Sequence, residues 1–283
     1  MMVKWTVGVI ASIAFAGSAM AQSAAVKRGD YLVNSILTCG NCHSPKGPGG
    51  VEARDKLLSG GVIEWDTPTF KVKGPNITPD PDTGIGKWTD AQIKTALQNG
   101  KHRDGHPLAP IMPFAFYKVF TPSDLDAVVA YVKSVPAIRN PSQPPVYKAP
   151  MHVDVVPNAD KPMSEADLRD PVKRGFYLVT IGHCMECHTP MERGQRLLST
   201  RYGVGGFRFT GPFGESFSRN ITSHREKGIG AWTDAEIKTA ITQGKRKDGT
   251  PLKPPMGYAW YARMNDADLS AIVAYLRTVP PKE

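Results

Sequence analysis

The chain repeats itself, and that repetition restricts its architecture more than any other property. Val26-Lys27-Arg28-Gly29-Asp30-Tyr31-Leu32-Val33 returns as Val172-Lys173-Arg174-Gly175-Phe176-Tyr177-Leu178-Val179, and the 49 residues from Trp88 to Pro136 align without a gap on Trp232 to Pro280 with 26 identities. A tandem duplication of this length implies two like domains. A chain of 283 residues has room for two cores of ordinary size. Between the copies, Pro136 to Pro171 holds eight prolines in 36 residues, a composition that favours extended backbone and forbids a continuous helix. The expected organisation is a leader at 1–21, a first domain at 22–136, a Pro-rich linker at 137–170 and a second domain at 171–283.

The leader is read from Lys4, the apolar stretch Val7 to Phe15, and Ala19-Met20-Ala21 ahead of Gln22, the three parts of a secretory signal peptide. The apolar run from Val7 to Ala21, 15 residues, is shorter than a membrane span, and nothing later approaches 18 consecutive apolar residues. The mature chain is expected to be exported to the periplasm and to lack a transmembrane span.

Each copy carries the same helical punctuation. A first helix is expected over about Val26 to Leu37, with Leu32, Val33, Ile36 and Leu37 on one face; Leu178, Val179 and Ile181 answer it in the second copy. A middle helix starts at Thr89 with Gln92 completing a capping box and stops near Gly100; its twin uses Thr233, Glu236 and Gly244. The last helix follows Thr121-Pro122 and sets Leu125, Val128, Val129 and Val132 on one stripe. Leu269, Ile272, Val273 and Leu276 repeat that stripe behind an Asn265 cap. There is little sign of strands. The fold class expected is all-α, with three or so short helices per domain joined by long Gly/Pro loops. Such helices make too few mutual contacts for an ordinary core, so another component should fill the middle.

The cysteines supply that component. All four lie in two matching patterns, Cys39-Gly40-Asn41-Cys42-His43 and Cys184-Met185-Glu186-Cys187-His188. C-x-x-C-H is the attachment signature of c-type haem: two thiols one helical turn apart can form thioethers to one porphyrin edge, while the next residue presents an imidazole to the iron. Two structural disulfides, a four-cysteine zinc site and a thioredoxin-like redox pair are the competing readings. None of them explains the His that follows each pair, and the last also needs a βαβ setting. Two covalently bound haems are expected, held by Cys39, Cys42, Cys184 and Cys187, with His43 and His188 on the irons.

The duplication also points to the second axial ligand. Across the copies, His102 aligns with Arg246, His106 with Thr250 and His224 with Asp80, so none of these His positions is shared; Met185, Met191 and Met264 likewise have no Met partner. Only Met112 and Met256 match, each on a Pro-rich loop. A thioether stabilises ferrous iron and raises the potential, and a six-coordinate iron has no open position for substrate. The chain is therefore expected to carry electrons and not to be an enzyme. A dihaem enzyme, such as a peroxidase or a thiosulfate-oxidising cytochrome, is the alternative.

The formal charge of +9 comes from Lys and Arg interspersed with Asp and Glu, without a long basic block. That pattern argues against nucleic acid and suits transient docking with an acidic protein.

Taken together, Gly29-Asp30-Tyr31-Leu32, Cys39 to His43, Asn76-Ile77-Thr78-Pro79-Asp80, Thr83-Gly84-Ile85-Gly86-Lys87-Trp88-Thr89 and the Met112 loop resemble a class I cytochrome c. The type is that of the cytochrome subunits of bacterial periplasmic alcohol, gluconate and aldehyde dehydrogenases. The second copy matches through Asn220-Ile221-Thr222 and Gly228-Ile229-Gly230-Ala231-Trp232-Thr233. The resemblance implies two tandem class I cytochrome c domains and a periplasmic dehydrogenase as electron donor. It also implies a cytochrome, oxidase or quinone-linked acceptor. Within each domain it implies that the first and last helices cross, with Gly29 against Tyr131 and Gly175 against Tyr275. Asn76 and Asn220 head glycosylation-like sequons but are expected to be loop residues near a haem edge.

Overall fold

Helix α1 (23–34) opens the first half and buries Leu32 and Val33 completely. It stops three residues earlier than its apolar face suggests. The Ser35 hydroxyl donates back to Tyr31 O, and the Leu37 amide reaches Leu32 O at 3.0 Å, a six-to-one closure that ends the helical ladder. Thr38 then takes a left-handed φ of 49° and turns the chain into α2 (Cys39–His43). This computed structural model describes residues 23–47, 52–211 and 213–283; the expected leader lies outside the described residues.

Helix α3 (Asp90–Asn99) begins at the Thr89 capping box with Gln92 and ends at Gly100 in the left-handed region, φ 60°. A 3-10 helix (Phe114–Val119) leads into α4 (Pro122–Ser134), whose Thr121 cap accepts from the Asp124 amide at 3.2 Å. The second half repeats the series. Its elements are α5 (Pro171–Ile181), α6 (Cys184–Cys187), α7 (Asp234–Gln243), α8 (Tyr258–Tyr261) and α9 (Asp266–Thr278).

The first and last helices of each half cross at a glycine. A Cβ on Gly29 would stand 2.0 Å from Ala127 O and 2.6 Å from Tyr131 Cβ; on Gly175 it would stand 1.9 Å from Ala271 O and 2.6 Å from Tyr275 Cβ. Only glycine lets the two backbones approach this closely. The apolar stripes of α4 and α9 are buried, Val128, Val129, Ile272 and Val273 among them, each such side chain contributing about 1.5–3 kcal/mol.

The molecule is mostly helical, and the strands the sequence hardly signals are short. Strands β1 (Glu64–Asp66), β2 (Phe70–Lys73) and β3 (Val146–Tyr147) form one antiparallel sheet. β4 (Met191–Glu192) with β5 (Gln195–Arg196), and β6 (Arg208–Gly211) with β7 (Gly214–Phe217), form two hairpins in the second half. β3 belongs to the Pro-rich connection, which is laid along both halves. Asn140 Nδ2 donates to Ser59 O at 2.7 Å, Asp154 pairs with Arg196 at 3.1 Å, the Met163 amide meets Val119 O at 3.0 Å, and Val156 and Ala159 are buried.

The halves meet through a reciprocal contact. Arg28 on α1 grips Asp124 on α4 through Nε at 2.7 Å and Nη2 at 2.8 Å, and Tyr177 of the other half donates to the same carboxylate at 2.7 Å. Arg174 on α5 holds Asp268 on α9 at 2.7 Å through Nε, and Tyr31 donates to it across the boundary at 2.5 Å. Each tyrosine thus completes its partner half's ion pair, as in an isologous interface. No helix among the described residues is long and apolar enough to cross a membrane.

Candidate cofactor sites

Two short helices deliver the cysteine pairs. Cys39 and Cys42 sit one turn apart on α2, Cys184 and Cys187 one turn apart on α6, and in both cases a residue in the left-handed region, Thr38 or His183, sets the entry angle. None of the four is in a disulfide. Burial pushes the thiols of Cys39, Cys184 and Cys187 up to about 12 and that of Cys42 to about 11. They are thiols, not thiolates, at neutral pH. Among the described residues, no cluster of three metal-binding donors includes a cysteine, so the zinc reading finds no geometry.

The histidines are oriented identically. His43 Nδ1 stands 2.8 Å from Pro75 O and His188 Nδ1 2.6 Å from Arg219 O. A carbonyl only accepts, so Nδ1 carries the proton and Nε2 keeps its lone pair. Burial lowers both imidazole pKa values, which favours the neutral ring a metal ion needs. The carbonyl of each histidine is in turn taken by a glycine amide, Gly60 at 2.8 Å and Gly205 at 2.7 Å. Gly61 and Gly74 hug the first site so closely that a Cβ would lie 1.8 and 2.1 Å from Cys42 O. Paired thiols beside a neutral, pre-aimed imidazole, twice over, are a donor set that fits c-type haem.

The supporting residues that spacing alone does not reveal are Pro75 and Arg219, which act through backbone carbonyls, and the Asn-Ile-Thr segment that follows each. Asn76 Oδ1 accepts from the Thr78 amide at 2.9 Å and hydroxyl at 2.7 Å, and Asn220 Oδ1 accepts from Thr222 at the same two distances. Their Nδ2 groups donate outward to Ile138 O and Lys282 O, both at 2.7 Å. Asn76 is buried and its amide engaged, so it is a clamp on the loop and not a glycan acceptor. The signal was present in the sequence as an identical tripeptide in each copy.

Met112 and Met256 occupy equivalent loops. Leu108 N to Gly100 O at 2.7 Å anchors the first, Leu252 N to Gly244 O at 2.6 Å the second, and each methionine is half-buried just ahead of the short helix that precedes α4 or α9. His102 and His106 turn away to share Asp104, at 2.9 and 2.6 Å.

Comparison with known proteins agrees with this architecture. Residues 26–136 and 172–280 each match the Cytochrome c family. The cytochrome c subunit of a quinone alcohol dehydrogenase from Gluconacetobacter polyoxogenes is 30% identical over 299 residues, covering 98% of this chain and 62% of that protein. The fructose dehydrogenase cytochrome subunit of Gluconobacter japonicus is 30% identical, covering 93% of this chain and 54% of that one. A dihaem c-type cytochrome of Cereibacter sphaeroides is 31% identical, covering 87% and 83% respectively. The chain spans about six-tenths of the length of the alcohol dehydrogenase subunit.

Proposed function

The chain belongs to the cytochrome c family, with two domains and two c-type haems, and from that premise we propose that it is a periplasmic electron carrier or electron-transfer subunit. In this reading it takes electrons from a periplasmic dehydrogenase and passes them to a cytochrome, an oxidase or a quinone-linked acceptor, and it is not itself an enzyme. Cys39 and Cys42 hold one haem and Cys184 and Cys187 the other. His43 with Met112, and His188 with Met256, bind the two irons. Each haem, when bound, supplies reversible one-electron chemistry.

The rest is the work of the chain. Hydrogen bonds from Nδ1 to Pro75 O and Arg219 O hold both imidazoles in one orientation whatever the iron's charge. Burial around the cysteine helices keeps water away, and the soft thioether of each methionine favours the reduced state. With His43 and Met112, or His188 and Met256, both bound to an iron, a small substrate would have no position left to bind. The observation that carries the reading is the equivalence of the two sites: thiols, oriented imidazole, Asn clamp and methionine loop all recur, whereas an enzyme would need one site unlike the other.

The export of the chain and removal of residues 1–21 belong to the same proposal. N-terminal sequencing of the periplasmic protein should begin at Gln22. Isolation of the native protein under mild conditions should bring a dehydrogenase with it, and that enzyme's substrate should reduce the haems. Denaturing electrophoresis with haem staining should retain two haems per chain, one after Cys42→Ser or Cys187→Ser. Met112→His should lower one potential and leave the other, since imidazole donates more strongly to ferric iron. Sustained turnover of peroxide or thiosulfate, on the order of 1 per second or faster, would promote the enzyme alternative.

A further inference from the structure

The turn between α3 and the Met112 loop carries a group of side chains that haem binding leaves unused. His102, Asp104 and His106 lie on one excursion closed at its base by the antiparallel bridge of Lys101 to Pro107. Within it His102 N donates to His106 O at 2.9 Å and Gly105 N to His102 O at 2.9 Å. The three donor atoms lie within 4.8 Å of one another, with both histidine Nδ1 atoms directed at the same oxygen of Asp104. The imidazoles stack with centroids 4.3 Å apart and planes at 22°. Trp88 braces His102 edge-on at 4.7 Å, and Tyr147 from β3 flanks His106 at 6.2 Å. Two imidazoles and one carboxylate are thus brought together by packing and by a closed turn.

The second half provides an internal control. Its turn has the same bridge, Lys245 to Pro251, and the same two backbone bonds, Arg246 N to Thr250 O and Gly249 N to Arg246 O, both at 2.9 Å. It keeps the aspartate: Asp248 accepts from the Thr250 amide at 2.9 Å and hydroxyl at 2.7 Å. The aspartate therefore has a turn-forming role in both halves, but the turn forms without either histidine. Turn chemistry does not account for the His102 and His106 pair.

We propose that His102, Asp104 and His106 form a binding site for one first-row divalent cation of the Zn2+ or Cu2+ class, with water completing its coordination. Two nitrogens and one oxygen suit a borderline-soft ion, whereas Mg2+ and Ca2+ prefer oxygen donors throughout. The histidines are part-exposed, so the ion can enter from solvent and the site can be reloaded after chelation. The site uses none of the four cysteines and none of His43, His188, Met112 or Met256.

The test uses the untagged, haem-loaded protein, treated with chelator and titrated calorimetrically with ZnCl2. The expected result is one equivalent bound with a Kd on the order of 10 μM or tighter. Zinc-edge absorption should show imidazole scattering. Replacing His102→Arg together with His106→Thr installs the residues that the second half carries on the same turn. Affinity should fall at least about a hundredfold, beyond the loss usual for altering a supporting contact, while the haem spectrum stays unchanged. The converse graft, Arg246→His with Thr250→His beside the existing Asp248, should add a second equivalent and answers the same question should the first variant fold poorly. Absence of binding up to about 100 μM, unaltered binding in the double variant, a zinc spectrum without imidazole, or a graft that adds nothing would each overturn the proposal.

Discussion

In the first half His43 leans on Pro75 O and Asn76 clamps the loop that carries it; in the second His188 leans on Arg219 O under the Asn220 clamp. In their sheets and at one position of the first helix the halves part company. The first half has one three-stranded sheet, completed by a strand from the connection; the second has two separate hairpins. Asn34 ties to Asp30 at 2.6 Å in α1, while the second half has Phe176 in place of Asp30, packed edge-on to Tyr275 at 5.5 Å. The closing of the clamp is shared: Ile138 and Lys282, each two residues past the aligned Pro136 and Pro280, accept from Asn76 and Asn220 at 2.7 Å. The duplicated chain has kept its helix crossings, its histidine supports and its cross-boundary ion pairs, and varied its sheets. The few residues after each last helix pack back on their own half.

The strongest challenge to this equivalence is at the helix crossings. Alanine is a better helix former than glycine by about 1 kcal/mol, so Gly29→Ala or Gly175→Ala can destabilise only by steric conflict. A Cβ there would stand 2.0 or 1.9 Å from a backbone oxygen, and backbone cannot swing aside as a side chain can. We expect a net loss of about 2–3 kcal/mol from each, read as a lower urea midpoint. A stabilised variant, or a loss confined to one half, breaks the equivalence.

Much of this was legible beforehand because it is local or repeated. The capping boxes at Thr89 and Thr233, the stripes of α4 and α9 and the cysteine helices follow from spacing within a dozen residues. The equivalent placement of the Met112 and Met256 loops follows from comparing the copies. What stayed hidden is non-local. Tyr31 and Asp268 are 237 residues apart, and no periodicity announces their bond. Strand β3 is two exposed residues, Val146 and Tyr147, whose extended form is set by pairing with Phe70 and Lys71. The early end of α1 depends on one hydroxyl, Ser35, competing for a helical carbonyl.

A second experiment sharpens the comparison at the boundary between the halves. The two cross-boundary tyrosines have equivalent partners, Asp124 for Tyr177 and Asp268 for Tyr31, but different surroundings: Tyr177 is fully buried, whereas Tyr31 is part-exposed. Removing the Tyr177 hydroxyl empties a buried position that water does not reach; the Tyr31 hydroxyl lies where water can replace it, and Asn265 Nδ2 still donates to the same oxygen of the buried Asp268 at 3.1 Å. Tyr177→Phe should cost about 1.5–2 kcal/mol and Tyr31→Phe about 0.5–1 kcal/mol in denaturant melts. Equal losses would mean that burial does not distinguish the two contacts.

The smallest effect is the pH dependence of that same difference. Burial above all, then the neighbouring Asp124 charge and the hydrogen bond to it, raise the Tyr177 phenol well above its ordinary 10.0; a bond with Thr121 and the charge of Arg28 oppose them weakly. The fold therefore favours the neutral phenol, while the unfolded chain still ionises near 10.0. A raised pKa contributes stability that is fully present below the unfolded value and lost as pH climbs toward the folded one. Between pH 10 and 11 the wild type should lose about 1 kcal/mol that Tyr177→Phe, having no phenol at this position, does not lose. Lysines and other tyrosines titrate in both proteins and cancel in the difference, so the gap between wild type and variant should narrow by that amount. Tyr31 is shifted in the same direction, by burial first and then by its bond to Asp268, but solvent screens it, so the gap for Tyr31→Phe should narrow less. Urea melts of the three proteins at pH 9, 10 and 11 measure both gaps. A Tyr177→Phe gap that holds constant across that range would mean that Tyr177 ionises as readily in the folded protein as in the unfolded chain, and the buried contact described here would be wrong.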